Sequence, residues 1–316
     1  MTARPNPSTS GRGARSTRRG RGPGAAPHPS GHRIEPASEP VEGSPVAASV
    51  SEWRYGEHVT RAPEAGGRND LPSDLAREIS SSLRGRSLAV MLYGSQARGS
   101  AQPDSDVDIL QVVPSGSGSY RRGRVAVTAY TAAHLHQMAI QGSLFILHLI
   151  VDGVVIEDEH GVIESALVAY TPPPSYESLR VALREAAAAL LVDDLELRDH
   201  LEGIGRLGIY LLRTDLYASA AAAGRPQFDA DVAAGIEDAE LLCILRMRRL
   251  PRLKESDVHA IQAKLASVFR VSPSGEQLTD AAVRLAASNP HASGLITQAI
   301  SKNVVMDYNA FPLPPL

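Results

Sequence analysis

Residues 93–110 read Tyr-Gly-Ser-Gln-Ala-Arg-Gly-Ser-Ala-Gln-Pro-Asp-Ser-Asp-Val-Asp-Ile-Leu. An apolar run over 88–93 leads into this stretch and stops at Gly94, and a second apolar run covers 107–113. Short apolar runs bounded by Gly or Pro are typical of buried strands. The pattern therefore predicts a strand, a Gly-Ser turn, a short helix over 96–100, a polar turn and a second strand.

Five residues of this stretch carry features that suit anions or divalent cations. Gly94 lets the backbone approach a phosphate without a Cβ clash, and Ser95 adds a hydroxyl donor at the start of the predicted helix, where free N–H groups and the helix dipole attract anions. Arg98 lies one turn into that helix, within reach of a phosphate. Asp106 and Asp108 are two apart on a strand, so both carboxylates project from one face and suit Mg²⁺. Two such ions ~3.5–4 Å apart would clamp the attacking and leaving oxygens of an in-line displacement.

Further elements are predicted on both sides of this unit. Apolar residues at helical spacing, β-branched content and turn residues are the signals. They predict a helix capped by Ser73, a flexible loop over 115–119, a strand over 124–130, a helix capped by Thr131, a short strand over 153–157, and an apolar segment over 144–151 that fits helix or strand equally.

The triple proline at 172–174 is the clearest boundary, because it cannot continue a helix or a strand. After it, apolar residues recur at helical spacing. Residues 1–70 are rich in Pro, Gly, Ser and Arg and lack an apolar period, which predicts disorder. We therefore predict an α+β protein in which a small mixed β-sheet core flanked by helices is followed by an all-α domain. The predicted divisions are a disordered arm over 1–70, a core over 71–170 and a helical domain over 175–306.

Composition excludes several classes of protein. Of the 316 residues, 43% are hydrophobic and 21% are charged, which is ordinary for a globular protein. The single cysteine, Cys243, excludes a disulfide scaffold, a zinc ribbon and an iron–sulfur site. No apolar stretch approaches the ~18 residues that span a bilayer. The N-terminus lacks the apolar region of a secretory signal, so we expect a cytoplasmic protein without a membrane partner.

The charge is unevenly distributed. Residues 1–34 contain seven Arg and no acid, whereas the remainder has 25 basic and 35 acidic residues. A basic arm of this kind could contact nucleic acid or an anionic surface, but a solvated tail is the favoured interpretation. The remainder is too acidic for a general nucleic-acid binder.

The stretch resembles the signature of the DNA polymerase beta-like nucleotidyltransferase superfamily, which is Gly-Ser, ten residues, then Asp-x-Asp. The surrounding residues are similar to those of its minimal and aminoglycoside-type bacterial members. The resemblance implies a small mixed sheet, Mg²⁺ (one ion or two), and transfer of NMP from an NTP, with ATP the first expectation. Carried over residue by residue, it implies nucleotide binding by Gly94, Ser95, Arg98 and Ser105, and a catalytic and metal-binding role for Asp106 and Asp108.

One departure from the family pattern concerns the third carboxylate, which the family usually places on the next strand. Neither face of the strand over 124–130 carries an acid, and no Asp or Glu occurs between Asp108 and Asp152. Deprotonation of an acceptor hydroxyl therefore needs a base from elsewhere. The candidates, among which the sequence does not choose, are Asp152, Glu157, Asp158, Asp193, Asp194 and Asp199.

Three functional hypotheses follow. The first is a Mg²⁺-dependent nucleotidyltransferase acting on an unknown acceptor, which is a small molecule, an RNA or a protein. The second is a catalytically weak or inactive nucleotide sensor, which the missing third carboxylate favours. A metal-dependent glycosyltransferase is the least favoured, because it leaves Gly94 and Ser95 without a role. Outside the motif, His148 is expected to be a core histidine, and Arg213 a partner of either a structural acid or a phosphate.

Overall fold

The structure is a computed structural model, and it describes residues 71–103, 105–235 and 238–301. Its first half contains one five-stranded sheet. The strands are β1 (Ala89–Tyr93), β2 (Val107–Val113), β3 (Gly118–Arg122), β4 (Val125–Thr131) and β5 (Val154–Glu157).

The sheet is mixed, with the order β3-β4-β2-β1-β5. Strands β2 and β4 run parallel, and the other neighbouring strands run antiparallel. The register places Asp108 of β2 opposite Tyr93, the last residue of β1, and opposite Ala126 of β4. The end of β1 and the start of β2 therefore lie side by side at one end of the sheet.

The helices of the sheet half are short and surround the sheet. They are α1 (Ser73–Ser82), α2 (Ser95–Arg98), α3 (Ala132–Ile140), α4 (Leu144–Asp152) and α5 (Val162–Val168). After the prolines the described chain is helical. It contains α6 (Glu177–Ala189), α7 (Asp194–Ala222), α8 (Ala230–Ala234), α9 (Ala239–Arg246), a 3₁₀ turn (Met247–Arg249), α10 (Glu255–Phe269), α11 (Leu278–Ser288) and α12 (Pro290–Ile300).

The two faces of the sheet bury different sets of side chains, as period-two alternation requires. One face, with Val107 and Ile109, packs on α1. The other face, with Leu110 and Val112, packs in a larger core that continues into the helical half. Asp108 shares the alternation of Leu110, so its carboxylate lies on the face that the helical half covers.

Glycines allow the helices to pack closely. The 29-residue helix α7 bends at His200, and α12 crosses it so closely that a Cβ on Gly203 would lie 1.9 Å from the carbonyl oxygen of Ala299. A Cβ on Gly208 would lie 2.4 Å from Ile261 of α10. The small residues of α7 thus set the separation of the helices.

The predicted α+β class with a mixed sheet and a helical C-terminal half is confirmed. The predicted strands over 88–93, 107–113, 124–130 and 153–157 are present within a residue or two, and Thr131 caps α3 by accepting from the N–H of His134. The disordered arm predicted over 1–70 lies outside the described residues.

Three expectations change. The flexible loop expected over 115–119 runs into β3, a polar edge strand that no apolar run announces. Pro72 rather than Ser73 is the residue before the first helix. The ambiguous segment over 144–151 is helical, because the Ser143 side chain accepts from the N–H of Phe145 and caps it.

Among the described residues, no single helix is long and apolar enough to cross a membrane. Helices α3 and α4 pass that test only as a pair, which is bent by 101°.

The close crossing of α7 and α12 predicts opposite effects for two Gly→Ala changes. Gly203→Ala should lower the free energy of unfolding by about 2 kcal/mol, because the new methyl group meets a backbone carbonyl that cannot move aside. In Gly294→Ala, in α12, the new methyl group meets no atom within 4 Å. This change should raise the free energy of unfolding by about 0.5–1 kcal/mol, because alanine favours the helix more than glycine does. Denaturant unfolding checks both, and equal effects would contradict the described crossing.

Burial of His291, near the start of α12, predicts a loss of stability in acid. Burial lowers the pKa of His291 to about 4, below the value of about 6.5 in an unfolded chain. The neutral form is favoured in the fold, so its contribution is complete above pH 6.5 and declines as the pH falls toward 4. His291→Gln should reduce the difference in unfolding free energy between pH 7 and pH 5 by up to about 2 kcal/mol. His136→Gln, an exposed control, should leave that difference unchanged; an equal effect of both changes would contradict the assignment.

Candidate active site

Gly94 forms the turn that brings the end of β1 against β2. Its φ of 76° and ψ of −152° are in a region that glycine adopts readily. A Cβ at this position would lie 2.8 Å from Oδ2 of Asp108. The turn and the carboxylate are therefore in direct contact.

Ser95 begins α2, which is a single turn of four residues rather than the helix predicted over 96–100. The N–H of Ser100 donates to the carbonyl of Ser95 at 3.0 Å and closes the turn. So short a helix has little macrodipole, and an anion bound at its start would depend on the first-turn N–H groups, which have no helical carbonyl one turn earlier. Those groups lie on the turn that contacts Asp108.

Asp106 directly precedes β2 and Asp108 is its second residue, so the two side chains lie on the same face of the sheet. Their surroundings differ. Asp108 is partly buried beside Gly94. Asp106 is exposed, and both of its oxygens accept from Arg121 of β3, at 2.6 and 3.2 Å. The structure thus brings the two acids and the Gly-Ser turn to one end of the sheet, and it adds a cation that the motif does not contain.

The strand that usually carries a third carboxylate has Ala126 at the matching position. Ala126 of β4 lies in register with Asp108 on one side and with Arg121 of β3 on the other. Residues in register share a face. Across this end of the sheet, the carboxylate of Asp108 on β2, the methyl group of Ala126 on β4 and the guanidinium of Arg121 on β3 therefore lie side by side.

Arg98 is held in an ion-pair network. Its guanidinium donates to the buried carboxylate of Asp152 and lies 3.5 Å from the Asp229 carboxylate, which belongs to the loop before α8. Asp152 also lies 3.0 Å from Nε2 of His148, whose ring stacks on Phe228 at 4.4 Å. Arg98 therefore links the Gly-Ser turn both to α4 and to the helical half.

His148 is a core residue, as the sequence suggested. Burial lowers its pKa, and the neighbouring Asp152 opposes that change only in part. His148 is thus neutral near pH 7 and packs as an aromatic ring between the two halves.

Ser105 closes the polar turn between α2 and β2. Its hydroxyl accepts from the N–H of Gln102 at 2.8 Å, and its own N–H donates back to the carbonyl of Gln102 at 2.9 Å. The residue is buried and fixes the approach to Asp106. A direct contact between Ser105 and a nucleotide remains a prediction.

Two arginines of the helical half lie close enough to interact electrostatically, and one of them also interacts with Asp108. Part of Arg248, in the 3₁₀ turn, reaches solvent, yet burial lowers its pKa and Arg213 lowers it further, while Asp108 acts in the opposite direction. The buried hydroxyl of Tyr217 has a raised pKa because of burial, against the field of Arg213, Arg248 and Arg98. The three arginines therefore converge on one region, and one of them lies within electrostatic range of Asp108.

Two of these residues were missed from sequence alone. Arg248 lies in a run of arginines, and such a run usually marks a solvated face. Arg121 lies on the unpredicted strand β3. The only available signal for Arg248 was its position after an apolar helix, and for Arg121 its place beside a strand without acids.

Several of the proposed general bases already have structural partners. Asp158 accepts from three N–H groups at the start of α5, and Asp193 caps α7. Asp152 is buried against Arg98. Glu157 pairs with Val90, toward the opposite end of β1 from Gly94. Asp194 and Asp199 are exposed on α7. These contacts argue against Asp152, Asp158 and Asp193 as mobile proton acceptors.

The acids fit a hard divalent cation in part. Asp106 and Asp108 supply carboxylate oxygens of the kind that Mg²⁺ prefers. Within the described residues, no group of three or more His, Cys, Asp or Glu side chains could hold a metal. A metal at this site would therefore complete its coordination with phosphate and water oxygens.

Comparison with known proteins agrees with this geometry. The family model of the nucleotidyltransferase domain matches residues 74–168, which extend from the first turn of α1 to the end of α5. A comparison with curated proteins finds no match. The matched segment contains the whole sheet, the Gly-Ser turn and both acids. Residues 74–168 of this chain are therefore a nucleotidyltransferase domain of the polymerase beta-like superfamily.

Proposed function

We propose that this protein is a Mg²⁺-dependent nucleotidyltransferase that moves NMP, first of all AMP from ATP, to an acceptor hydroxyl. The observation that carries the proposal is the contact between the Gly94 turn and the Asp108 carboxylate. That contact brings backbone N–H groups close to a carboxylate pair, which suits a triphosphate with a divalent ion.

The triphosphate lies, in this proposal, between the two halves of the molecule. The N–H groups at the start of α2 and the Ser95 hydroxyl bind it from the sheet side. Arg248 and Arg213 bind it from the helical side, and the electrostatic interaction of Arg248 with both Arg213 and Asp108 supports this. Fork-shaped guanidinium donors suit phosphate oxygens, and the positive field favours a polyanion.

The reaction joins the acceptor oxygen to the α-phosphorus, breaks the bond from that phosphorus to pyrophosphate, and releases the proton of the acceptor hydroxyl to solvent. Bound Mg²⁺ would neutralise charge on the phosphates and orient them. Asp106 and Asp108 hold that ion, the Gly94–Ser95 turn fixes the phosphates, and the arginines balance the charge that develops on the leaving pyrophosphate. Rate enhancement then comes mainly from positioning and electrostatics.

The helical half is proposed to select the acceptor, which is a small molecule, an RNA or a protein. Ion pairs and stacking join it to the turn, through Asp229 with Arg98 and Phe228 with His148. An acceptor bound between the halves would therefore lie near the acids. A cytoplasmic location stays a prediction.

A nucleotide sensor is the second candidate, and Ala126 favours it. Without an acid at that position, the strand supplies neither a third metal ligand nor a base. Such a protein would bind Mg²⁺-NTP saturably and transfer nothing.

Incubation with NTP labelled at the α-phosphate, together with cell extract, separates the two candidates. Label on a small molecule, an RNA or a protein supports transfer. Saturable binding of the NTP without transfer of label supports the sensor and contradicts the enzyme.

Asp106→Asn and Asp108→Asn should each abolish transfer, with a loss of about 100-fold or more, because the amide removes the charge that holds the divalent ion. The fold should persist, since asparagine has the same shape and neither side chain is fully buried. Transfer of labelled NMP measures the loss, and thermal unfolding checks the fold.

Asp280→Asn serves as the control for this pair, because it removes an exposed acid from α11 that is not among the candidate general bases, and it should keep full activity. Full activity of both motif variants with Mg²⁺ would show that the metal ligands are assigned wrongly.

Arg248→Ala should weaken ATP binding about tenfold or more, because it removes a charged donor to phosphate. AMP binding should change much less, since AMP lacks the β- and γ-phosphates. Calorimetric titration of both nucleotides measures the ratio. Arg246→Ala is the matched control, because Arg246 lies two residues away and pairs with Asp231 on the surface. Equal losses for ATP and AMP would remove Arg248 from the triphosphate site.

A further inference from the structure

Arg121 forms an ion pair with Asp106, one of the two motif carboxylates. Its guanidinium engages both oxygens of Asp106, at 2.6 and 3.2 Å. Both side chains are about half exposed, at 43% and 49%. An exposed pair of this kind adds about 0–1 kcal/mol to stability, so stabilisation of the fold gives little reason for it.

The strand register places Arg121 on the same side of the sheet as the acids. Arg121 is paired with Ala126 of β4, and Ala126 is paired with Asp108 of β2, so all three side chains lie on the side that carries the proposed site. The next residue, Arg122, lies on the opposite side and donates to the carbonyl of Ser81 at 2.6 Å. Only the first of these two adjacent arginines therefore reaches the acids.

The donor set is sufficient for one divalent ion but poor for two. Two Mg²⁺ ions sharing a pair of carboxylates need additional anionic oxygens to bridge or anchor them. Where β4 could supply a third carboxylate, it presents the methyl group of Ala126. The guanidinium of Arg121 already brings one positive charge to the outer side of Asp106, which raises the electrostatic cost of a second ion there.

Asp106 can still bind a metal while paired with Arg121. A carboxylate has about four lone-pair sites, and the two guanidinium N–H groups use two of them. The remaining sites are free to share one ion with Asp108.

We propose that Arg121 takes the place of a second divalent cation, so that the site works with a single ion held by Asp106, Asp108 and the phosphates. This proposal rests on the nucleotidyltransferase function proposed above. Arg121 is a positioning residue in this account: it fixes the Asp106 carboxylate and supplies a permanent positive charge beside it.

The number of bound ions tests the proposal without any measurement of turnover. The full chain is mixed with an equimolar, non-hydrolysable α,β-methylene analogue of ATP, and Mn²⁺ binding is followed by the loss of the free-ion signal in electron paramagnetic resonance. The wild-type chain should bind one Mn²⁺ per bound nucleotide. Two ions per bound nucleotide would overturn the proposal while leaving the proposed function intact.

Variants extend the test. Arg121→Ala should tighten Mn²⁺ binding several-fold, because it removes a like charge next to the metal site. The double change Arg121→Ala with Ala126→Asp should bind two ions, since it exchanges the cation for a carboxylate. Arg122→Ala, the matched control on the opposite face, should match the wild type.

Two results contradict the role of Arg121 in particular. One is equal Mn²⁺ binding by Arg121→Ala and Arg122→Ala, and the other is a double variant that binds nucleotide but still holds one ion. Failure of the wild-type chain to bind the analogue at all would instead overturn the proposed function and the inference with it.

Discussion

A missing side chain at residue 94 allows the proposed site to exist. Any Cβ there would meet the Asp108 carboxylate at 2.8 Å, so only glycine lets the end of β1 turn directly against β2. The antiparallel pairing of these strands, with Tyr93 opposite Asp108, fixes the same approach from the sheet side. The fold thus holds together the backbone that we propose to bind phosphate and the carboxylate that we propose to bind a metal.

The helical half adds positively charged arginines to the acids and the turn of the sheet half. The sheet contributes the acids and the turn, while Arg213 and Arg248 come from α7 and from the 3₁₀ turn after α9. The network of Arg98, Asp152 and Asp229 joins the halves at the turn itself. A change of helix packing would therefore move the arginines relative to the acids, which links the close helix contacts of α7 to the geometry of the site.

The sequence predicts the motif residues but not the residues that surround them in the fold. Gly94, Asp106 and Asp108 are close in the chain, and strand periodicity is enough to place them together. The partners of the acids come from residues distant in sequence, Arg121 and Arg248, whose polar neighbourhoods give no periodic signal. Strand β3 escaped prediction for the same reason: its stability comes from pairing with β4 rather than from an apolar face. The pairing of Arg98 also needed the structure, because its partner Asp152 lies 54 residues away in the sequence.

The most direct measurement is anomalous X-ray diffraction from a crystal grown with Mn²⁺ and a non-hydrolysable NTP analogue. The account predicts an anomalous peak between the carboxylates of Asp106 and Asp108, with the phosphates of the analogue against the backbone N–H groups at Ser95. A nucleotide bound elsewhere on the molecule, or a manganese peak away from both carboxylates, would contradict it.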